Sequence, residues 1–291
     1  MENKLALFGG QPIRDTFLPY AKQAIDDDDI QAVIEVLKSE FLTTGPIVPR
    51  FEEKIATYVG AKYAVAFSSG TAALHAACYA AGITNGDEVI TTPITFAATS
   101  NSILYVGGKP VFADIDPKTY NISPRAIEQR ITPKTKAIIT VDYTGQPAAY
   151  DEVMELAKKH NLIVIDDAAH ALGAMYKNRR IGSIAHMTMY SFHPVKHITT
   201  GEGGIITTND RSYYEKLLLF RSHGITRDVN KLHVKDEVGY YEMQQLGYNY
   251  RMTDIQAALG LSQLKKLSYF LAKRRKMART YTEALQQIDV V

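Results

Sequence analysis

The middle of the chain alternates short β-branched runs with helix-like segments, and this alternation restricts the fold more than any other feature. Seven runs have the length and composition of strands. The predicted strands are Tyr63–Phe67, Glu88–Thr92, Val111–Ile115, Ala137–Tyr143, Leu162–Asp167, Met187–Phe192 and Gly204–Thr208. The predicted helices are Thr71–Ala81, Phe96–Val106, Pro124–Ile131, Tyr150–His160 and Arg211–Arg221. Strands separated by such crossovers predict a mainly parallel, doubly wound α/β sheet.

Two further segments flank this core. The acidic run Asp26–Asp29 precedes apolar residues at helical spacing. It is interpreted as an N-cap and a first turn that suits the helix dipole, rather than as a metal site. Residues 254–285 indicate one long helix or two joined helices, and their Lys and Arg residues form a solvated face.

Composition excludes several classes of protein. Hydrophobic residues make up 46% of the 291 residues and charged residues 22%, as in a soluble protein with a core. The formal net charge of +2 gives no reason to expect a nucleic-acid or membrane partner. No segment has the length of a membrane span, and no metal-ligand spacing occurs. The single cysteine, Cys78, suits a cytoplasmic protein and is expected to be a packed thiol.

Four polar or aromatic segments follow predicted strands, where ligands bind in such sheets. Ser68–Thr71 opens a helix and would bind phosphate, although for this segment taken alone an ordinary N-cap is the favoured explanation. Phe96 would stack on a planar ligand or belong to the core. Asp166 or Asp167 would pair with a protonated ring nitrogen, and His170 would lie over that ring, unless these residues are a helix cap and a half-buried imidazole.

The fourth segment, YSFHPVKHITTGEGG, places Lys196 shortly after Ser191 and before three glycines. A surface lysine is the ordinary explanation. The alternative is an amine that forms a Schiff base with a carbonyl in a cleft. A phosphate cradle, a carboxylate, a stacking ring and a lysine are together what pyridoxal 5'-phosphate requires.

An ordered set of motifs gives a resemblance to a known family. The motifs are SSGTAALH, TPITFAAT, VIDDAAHALG, SFHPVK, GEGG, FRSHG and GYNYRMTDIQAALG. The chain resembles the DegT/DnrJ/EryC1/StrS sugar-nucleotide aminotransferases, which share the fold of aspartate aminotransferase (fold type I). Within the family it is most similar to the transaminases of pseudaminic acid biosynthesis.

The resemblance implies roles for particular residues. Lys196 would form the Schiff base with pyridoxal 5'-phosphate and carry the proton between cofactor and substrate. Asp167 would bond the ring nitrogen, and His170 would stack on the ring near Phe96. The phosphate-binding residues would be Ser69, Gly70, Thr71, Ser191 and, from the second subunit of a homodimer, Asn249. The residues lining the sugar-nucleotide pocket would be Tyr20, Glu40, Phe41, Leu42 and Thr43.

The activity that the resemblance implies is transfer of an amino group, donated by glutamate, to the C4 ketone of a UDP-linked 4-keto-6-deoxy-N-acetyl-hexosamine. Two alternatives stay open. One is a transaminase for another 4-keto sugar nucleotide, such as a GDP-linked sugar of the perosamine type. The other is a non-catalytic protein that binds the cofactor or a sugar nucleotide. Lys196 argues against the second alternative and against the family's dehydratases, which have histidine at this position.

The expected organisation has three parts. Residues 1–25 form an N-terminal arm, residues 26–250 a large domain that binds the cofactor, and residues 251–291 a linking helix followed by the start of a small domain. Because relatives continue beyond this C-terminus, the small domain is expected to be incomplete. The final apolar residues of LQQIDVV are expected to begin a strand.

Overall fold

The computed structural model describes residues 4–234, 238–286 and 288. The strands are β1 Tyr63–Phe67, β2 Glu88–Thr91, β3 Lys109–Phe112, β4 Thr135–Val141, β5 Ile163–Asp167, β6 Met175–Tyr176, β7 Arg179–Arg180, β8 Met187–Ser191, β9 Gly204–Thr208, β10 Ile225–Thr226 and β11 Glu242–Met243. The α-helices are α1 Asp27–Leu37, α2 Ile47–Val59, α3 Gly70–Ala80, α4 Ala97–Tyr105, α5 Pro124–Glu128, α6 Tyr150–His160, α7 Arg211–Arg221 and α8 Asp254–Leu285.

Seven strands form the central sheet, in the order β1-β9-β8-β5-β4-β2-β3. All neighbours from β8 to β3 run parallel, whereas β9 is antiparallel to both β1 and β8. The predicted α/β class with a mainly parallel sheet is therefore confirmed. Because the parallel strands share one direction, the carboxyl ends of β4, β5 and β8 meet at one edge of the sheet.

Helices cover both faces of this sheet. Buried side chains of α2, α5, α6 and α8 pack on one face. Buried side chains of α3, α4 and α7 pack on the other, which is called the α3 face below. Coverage on both sides explains why β5 is apolar until its last two residues. No helix within the described residues is long and apolar enough to span a membrane.

Three predicted elements differ from the structure by two or more residues at an end. The fourth strand runs from Thr135 to Val141 and not from Ala137 to Tyr143. The third strand begins at Lys109 and not at Val111. It is an edge strand, and the missing N–H of Pro110 is tolerated at a sheet edge. The helix that begins at Pro124 ends at Glu128 and not at Ile131, because Thr132 precedes a proline and such a residue avoids helical geometry. The strand expected at the end of the chain lies outside the described residues.

The interpretation of the acidic run as a helix start is confirmed. Asp26 is the N-cap of α1 and forms a capping box with Asp29. Lys266 of α8 donates to Asp26 and Asp29 at 2.6 Å each, so the acidic run also fixes α1 against α8. Within the described residues there is no group of acidic, histidine or cysteine side chains that fits a metal ion. Burial raises the pKa of the Cys78 thiol to about 12, so this cysteine is a packed thiol as expected.

Asp254 holds the start of α2, a helix that the sequence analysis did not identify. Its buried carboxylate accepts hydrogen bonds from the backbone N–H groups of Gly45 and Ile47 at 2.7 Å and of Val48 at 3.3 Å. The N-cap of α2 is Pro46, whose side chain cannot cap. Asp254 therefore satisfies N–H groups that would otherwise be buried without a partner.

Asp254→Ala is expected to lower the free energy of unfolding by about 2–4 kcal/mol, since it leaves buried donors unsatisfied. Urea denaturation followed by circular dichroism measures the change. Asp27→Ala removes an exposed acidic residue from the first turn of α1 and is the control, with a loss below ~1 kcal/mol. Equal losses in the two variants would contradict this role of Asp254.

Candidate active site

A cleft of about 820 Å³ lies at the carboxyl ends of β4, β5 and β8, on the α3 face of the sheet. Nine of the residues proposed from the sequence line it, together with residues that were not proposed. The proposed residues among them are Tyr20, Ser69, Gly70, Thr71, Phe96, Asp167, His170, Ser191 and Lys196. The structure therefore brings the chemistry-bearing residues of four separate segments into one cavity.

The start of α3 forms one end of the cleft. Ser69 is the N-cap, and its hydroxyl accepts a hydrogen bond from the N–H of Ala72 at 3.1 Å. The N–H groups of Gly70 and Thr71 belong to the first turn, where no carbonyl of the helix accepts them. The side chain of Ser191, at the end of β8, lies against Gly70, where an added Cβ would be 3.2 Å from the Ser191 Cβ. This concave set of donors suits a phosphate group.

Gly204 permits this arrangement. A Cβ on Gly204 would lie 2.5 Å from the carbonyl oxygen of Ser69 and 2.7 Å from the Cα of Gly70. Only a glycine lets β9 pass this close to the start of α3. The glycine that ends GEGG thus has a packing role.

Lys196 lies on the loop after β8 and extends into the cleft. Its Nζ is 2.7 Å from Nε2 of His170. Desolvation lowers the pKa of Lys196, although the nearby Asp167 charge acts in the opposite direction. Desolvation also lowers the pKa of His170, and the charges of Lys196 and Arg274 lower it further. A neutral imidazole therefore faces an amine that loses its proton more readily than a surface lysine does.

Arg274 of α8 fixes the loop that carries this lysine, since its guanidinium donates to the backbone carbonyl of Lys196 at 3.0 Å. The sequence analysis assigned Arg274 only to a solvated face. Its contact was not visible in the sequence because it joins positions that are 78 residues apart.

The two aspartates at the end of β5 point to opposite faces of the sheet. Asp167 lines the cleft, where its Oδ2 accepts from Thr99 at 2.7 Å and its Oδ1 from the N–H of Ala169 at 3.3 Å. Asp166 bonds Thr140 and lies toward Tyr150, away from the cleft. Burial raises the pKa of Asp167, whereas these hydrogen bonds and the Lys196 charge oppose that rise. A cationic ring nitrogen would stabilise this carboxylate.

Two aromatic side chains complete the walls of the cleft. Phe96, the N-cap of α4, is 77% exposed, so it is not the core residue that was the alternative explanation. Tyr20 is 99% exposed and lies in the N-terminal segment. Both rings border the cleft and leave a large apolar surface to a ligand.

Other residues proposed from the sequence lie outside this cleft. Asn249 is exposed and forms an isolated bridge with Ser222. Glu40 and Phe41 line a different groove, between α1, α2 and α8. The carbonyl of Leu42 accepts from the N–H of Asp254, and Thr43 bridges Thr253. Within one chain, therefore, neither Asn249 nor the 40–43 segment reaches Lys196.

Thr99 is the clearest site residue that the sequence analysis missed. Its hydroxyl donates to Asp167 and also contacts the hydroxyl of Thr95 at 2.7 Å. Thr99 follows Phe96 by three residues in TPITFAAT, so it lies on the same helical face as a residue that was proposed. This helical spacing from Phe96 could have identified Thr99 as a site residue from the sequence.

The residues of the cleft fit pyridoxal phosphate. The start of α3 supplies backbone donors for the phosphate, and a Cβ on Gly70 would crowd Ser191 at 3.2 Å, so the glycine keeps this end of the cleft open. Asp167 is a buried carboxylate that forms no ion pair within the described residues, and a protonated pyridine ring would supply one. Lys196 is an amine with a lowered pKa.

Comparison with known proteins gives the family. The model of the DegT/DnrJ/EryC1/StrS aminotransferase family matches residues 23–291. A UDP-4-amino-4,6-dideoxy-N-acetyl-beta-L-altrosamine transaminase of Campylobacter jejuni is 43% identical over 273 residues, which are 93% of this chain and 70% of that protein.

Two solved structures are similar as well. PseC of Helicobacter pylori, an aminotransferase involved in the biosynthesis of pseudoaminic acid, superposes with a TM-score of 0.86 at 40% identity, over 93% of this chain and 71% of that one. Spr1654 of Streptococcus pneumoniae, in its PLP form, gives 0.85 at 31% identity, over 93% and 72%. The predicted fold and family are thus confirmed, and the chain belongs to the DegT/DnrJ/EryC1/StrS aminotransferase family.

Proposed function

We propose that this chain transfers an amino group from glutamate to the C4 ketone of a UDP-linked 4-keto-6-deoxy-N-acetyl-hexosamine. The observation that carries the proposal is the position of Lys196, whose amine lies 2.7 Å from His170 in a cleft that Asp167 also lines. The relatives named for pseudaminic acid biosynthesis and for an altrosamine transaminase support the sugar class.

The cleft would hold pyridoxal phosphate through three contacts. Ser69, Gly70, Thr71 and Ser191 would bind its phosphate, Asp167 would bond the ring nitrogen, and His170 and Phe96 would flank the ring. When bound, the cofactor supplies an aldehyde that exchanges amino groups and a ring that delocalises electrons from a neighbouring carbon.

Lys196 would act on protons. Its Nζ, with a lowered pKa, takes a proton from the carbon that bears the amino group of the donor and returns a proton to C4 of the sugar during the second half-reaction. His170, kept neutral in the cleft, accepts a hydrogen bond from the ammonium of Lys196 and holds it in place. Asp167 supports the reaction through its charge, since it keeps the ring nitrogen cationic.

A basic cleft next to the active site suits the charges of both substrates. It measures about 730 Å³ and shares Tyr20, His170, Val195 and Lys196 with the first cleft. Arg274, Arg275 and His197 line it, and none of the described residues that line it is acidic. Within the described residues neither arginine forms an ion pair. Apart from the hydrogen bond of Arg274 to the carbonyl of Lys196, both guanidinium groups thus keep N–H donors for the carboxylates of glutamate or for a nucleotide diphosphate.

The proposal includes a homodimer whose subunits share each active site. Asn249 and the segment 40–43 are exposed or lie outside the cleft of their own chain. In a dimer they would reach the cleft of the second subunit, where Asn249 would bind the phosphate.

An amino-transfer assay with matched sugar nucleotides tests the substrate. With glutamate as the donor, we expect kcat/KM for the UDP-linked 4-keto sugar to exceed that for a GDP-linked 4-keto sugar by at least ~10-fold, because the nucleotide contributes to binding. NMR of the product identifies the aminated carbon. A preference for the GDP-linked sugar would favour the perosamine-type alternative, and cofactor binding without turnover on either sugar would favour a non-catalytic protein.

A further inference from the structure

A second group of buried polar side chains lies at the ends of β4 and β5, around Tyr150, whose ring packs on the face of the sheet opposite the cleft. One member of the group, Asp142, also borders the cleft. Asp142 and Asp166 are both fully buried there. The Oδ1 of Asp142 accepts from the N–H of Ala148 at 2.8 Å and from the hydroxyl of Tyr150 at 3.1 Å. The Oδ2 atoms of Asp142 and Asp166 have no hydrogen-bond partner among the described residues. The proposed amino transfer assigns no role to these groups.

Asp142 is directly linked to Asp167. It follows Val141, which is paired with Asp167 across β4 and β5. The N–H of Asp142 donates to the carbonyl of Asp167 at 3.2 Å. The two carboxyl groups therefore lie at the ends of adjacent strands and repel one another when both are ionised, as the influence of Asp167 on the pKa of Asp142 indicates.

The number of protons in this group is limited by Tyr150. Its hydroxyl has one proton, which it donates to Asp142, and it also interacts with Asp166. Because the phenol cannot donate this one proton to both carboxylates, a protonated Asp166 suits the contact better than a second ionised carboxylate does. Burial, together with the charge of Asp142, raises the pKa of Asp166 well above its usual range.

Asp142 is the group that changes charge near neutral pH. Burial raises its pKa to about 7, and the charge of Asp167 contributes to the rise. Tyr190 of β8 also faces the group, but its hydroxyl is bonded to the carbonyl of Ile181. Within the described residues neither Asp142 nor Asp166 forms an ion pair. Asp142 thus lacks a counter-charge of its own.

We infer that Asp142 is a positioning residue that binds or releases one proton next to Asp167. Its protonation state would set the total negative charge that a cationic ring meets at Asp167. Asp166 stays protonated, so the negative charge of the group is carried by Asp142 and Asp167. The inference rests on the proposed function, because it assumes that Asp167 pairs with a ring nitrogen.

Two measurements on the full chain test it. First, the carboxyl ¹³C signals of aspartate are titrated in the cofactor-free protein. We expect one carboxyl to titrate at a pH of about 7 in the wild type and this step to be missing in Asp142→Asn. Asp166→Asn, an uncharged replacement for an uncharged acid, is the matched control and keeps the step. A step that persists in Asp142→Asn would overturn the inference.

Second, the dissociation constant of pyridoxamine phosphate is measured against pH. At low pH Asp142 is neutral in the wild type, so wild type and Asp142→Asn should bind equally. At higher pH the additional negative charge in the wild type favours the cationic ring. The ratio of the variant's dissociation constant to that of the wild type should rise to roughly tenfold between about pH 5.5 and pH 8.5. A ratio that does not change with pH would refute the inference.

The two measurements separate this inference from the proposed function. A protein that titrates as expected but does not bind pyridoxamine phosphate would contradict the proposed function and the role of Asp142 toward Asp167. It would still confirm that Asp142 gains or loses a proton near neutral pH. If Asp142→Asn does not fold, Tyr150→Phe replaces it. Loss of the phenol removes a hydrogen bond that lowers the pKa of Asp142, so the titration step should move to higher pH. A titration step at the same pH as in the wild type would contradict the hydrogen bond between Tyr150 and Asp142 as a cause of the pKa of Asp142.

Discussion

Lys196→Ala is expected to lower kcat for amino transfer by ~10⁴-fold or more, because alanine supplies neither the nucleophilic amine nor the proton carrier. The Nζ of Lys196 faces the cleft beside His170, and desolvation lowers the pKa of the amine. A larger fraction of this amine is therefore uncharged at neutral pH than for a lysine in water. The reaction with glutamate and the reaction with the keto sugar are measured separately in single turnovers.

The covalent bond to the cofactor is tested by borohydride reduction and peptide mapping. In the wild type the label should appear on the peptide that contains Lys196. Lys196→Arg keeps a positive charge but not a nucleophile, since a guanidinium stays protonated, and is expected to be inactive too. Lys177→Ala, which changes an exposed lysine paired with Asp151, should keep wild-type rates. Retention of the glutamate reaction in Lys196→Ala would contradict the assignment.

Most of the fold was predictable because the chain repeats one simple unit. Strands such as β5 are buried on both faces and therefore have a continuous apolar sequence. Helices such as α6 and α7 have apolar residues at helical spacing, and their predicted bounds, Tyr150–His160 and Arg211–Arg221, agree with the structure. The order of the strands, and the antiparallel position of β9 between β1 and β8, depend on tertiary packing and could not be derived from local pattern.

The two aspartates of β5 are an example of site residues whose roles could not be assigned from the sequence pattern alone. Alternation along a strand places Asp166 and Asp167 on opposite faces but does not say which face holds the ligand. The packing of α3 and α4 decides it, because these helices lie on the same face as Asp167 and Thr99 of α4 bonds that carboxylate. The position of Arg274 likewise depends on how α8 crosses the loop that carries Lys196.

Asp167→Asn is expected to lower kcat by ~10²–10⁴-fold and to weaken cofactor binding, because an amide keeps the shape of the side chain and loses its charge. In the structure Asp167 already accepts from Thr99 and from the N–H of Ala169, so asparagine would also have to give up or reverse one of these contacts. Steady-state kinetics and the dissociation constant of pyridoxamine phosphate measure the two effects.

Asp166→Asn is the matched control, since it makes the same chemical change one residue earlier in β5. Burial favours a neutral Asp166, and its side chain points away from the cleft toward Thr140 and Tyr150. We therefore expect a change in kcat of less than ~5-fold, because the substitution removes no interaction with the reacting groups. If both variants lose activity equally, charge at the end of β5 is not what supports the reaction. If Asp167→Asn alone retains full activity, the ring nitrogen has no need of this carboxylate.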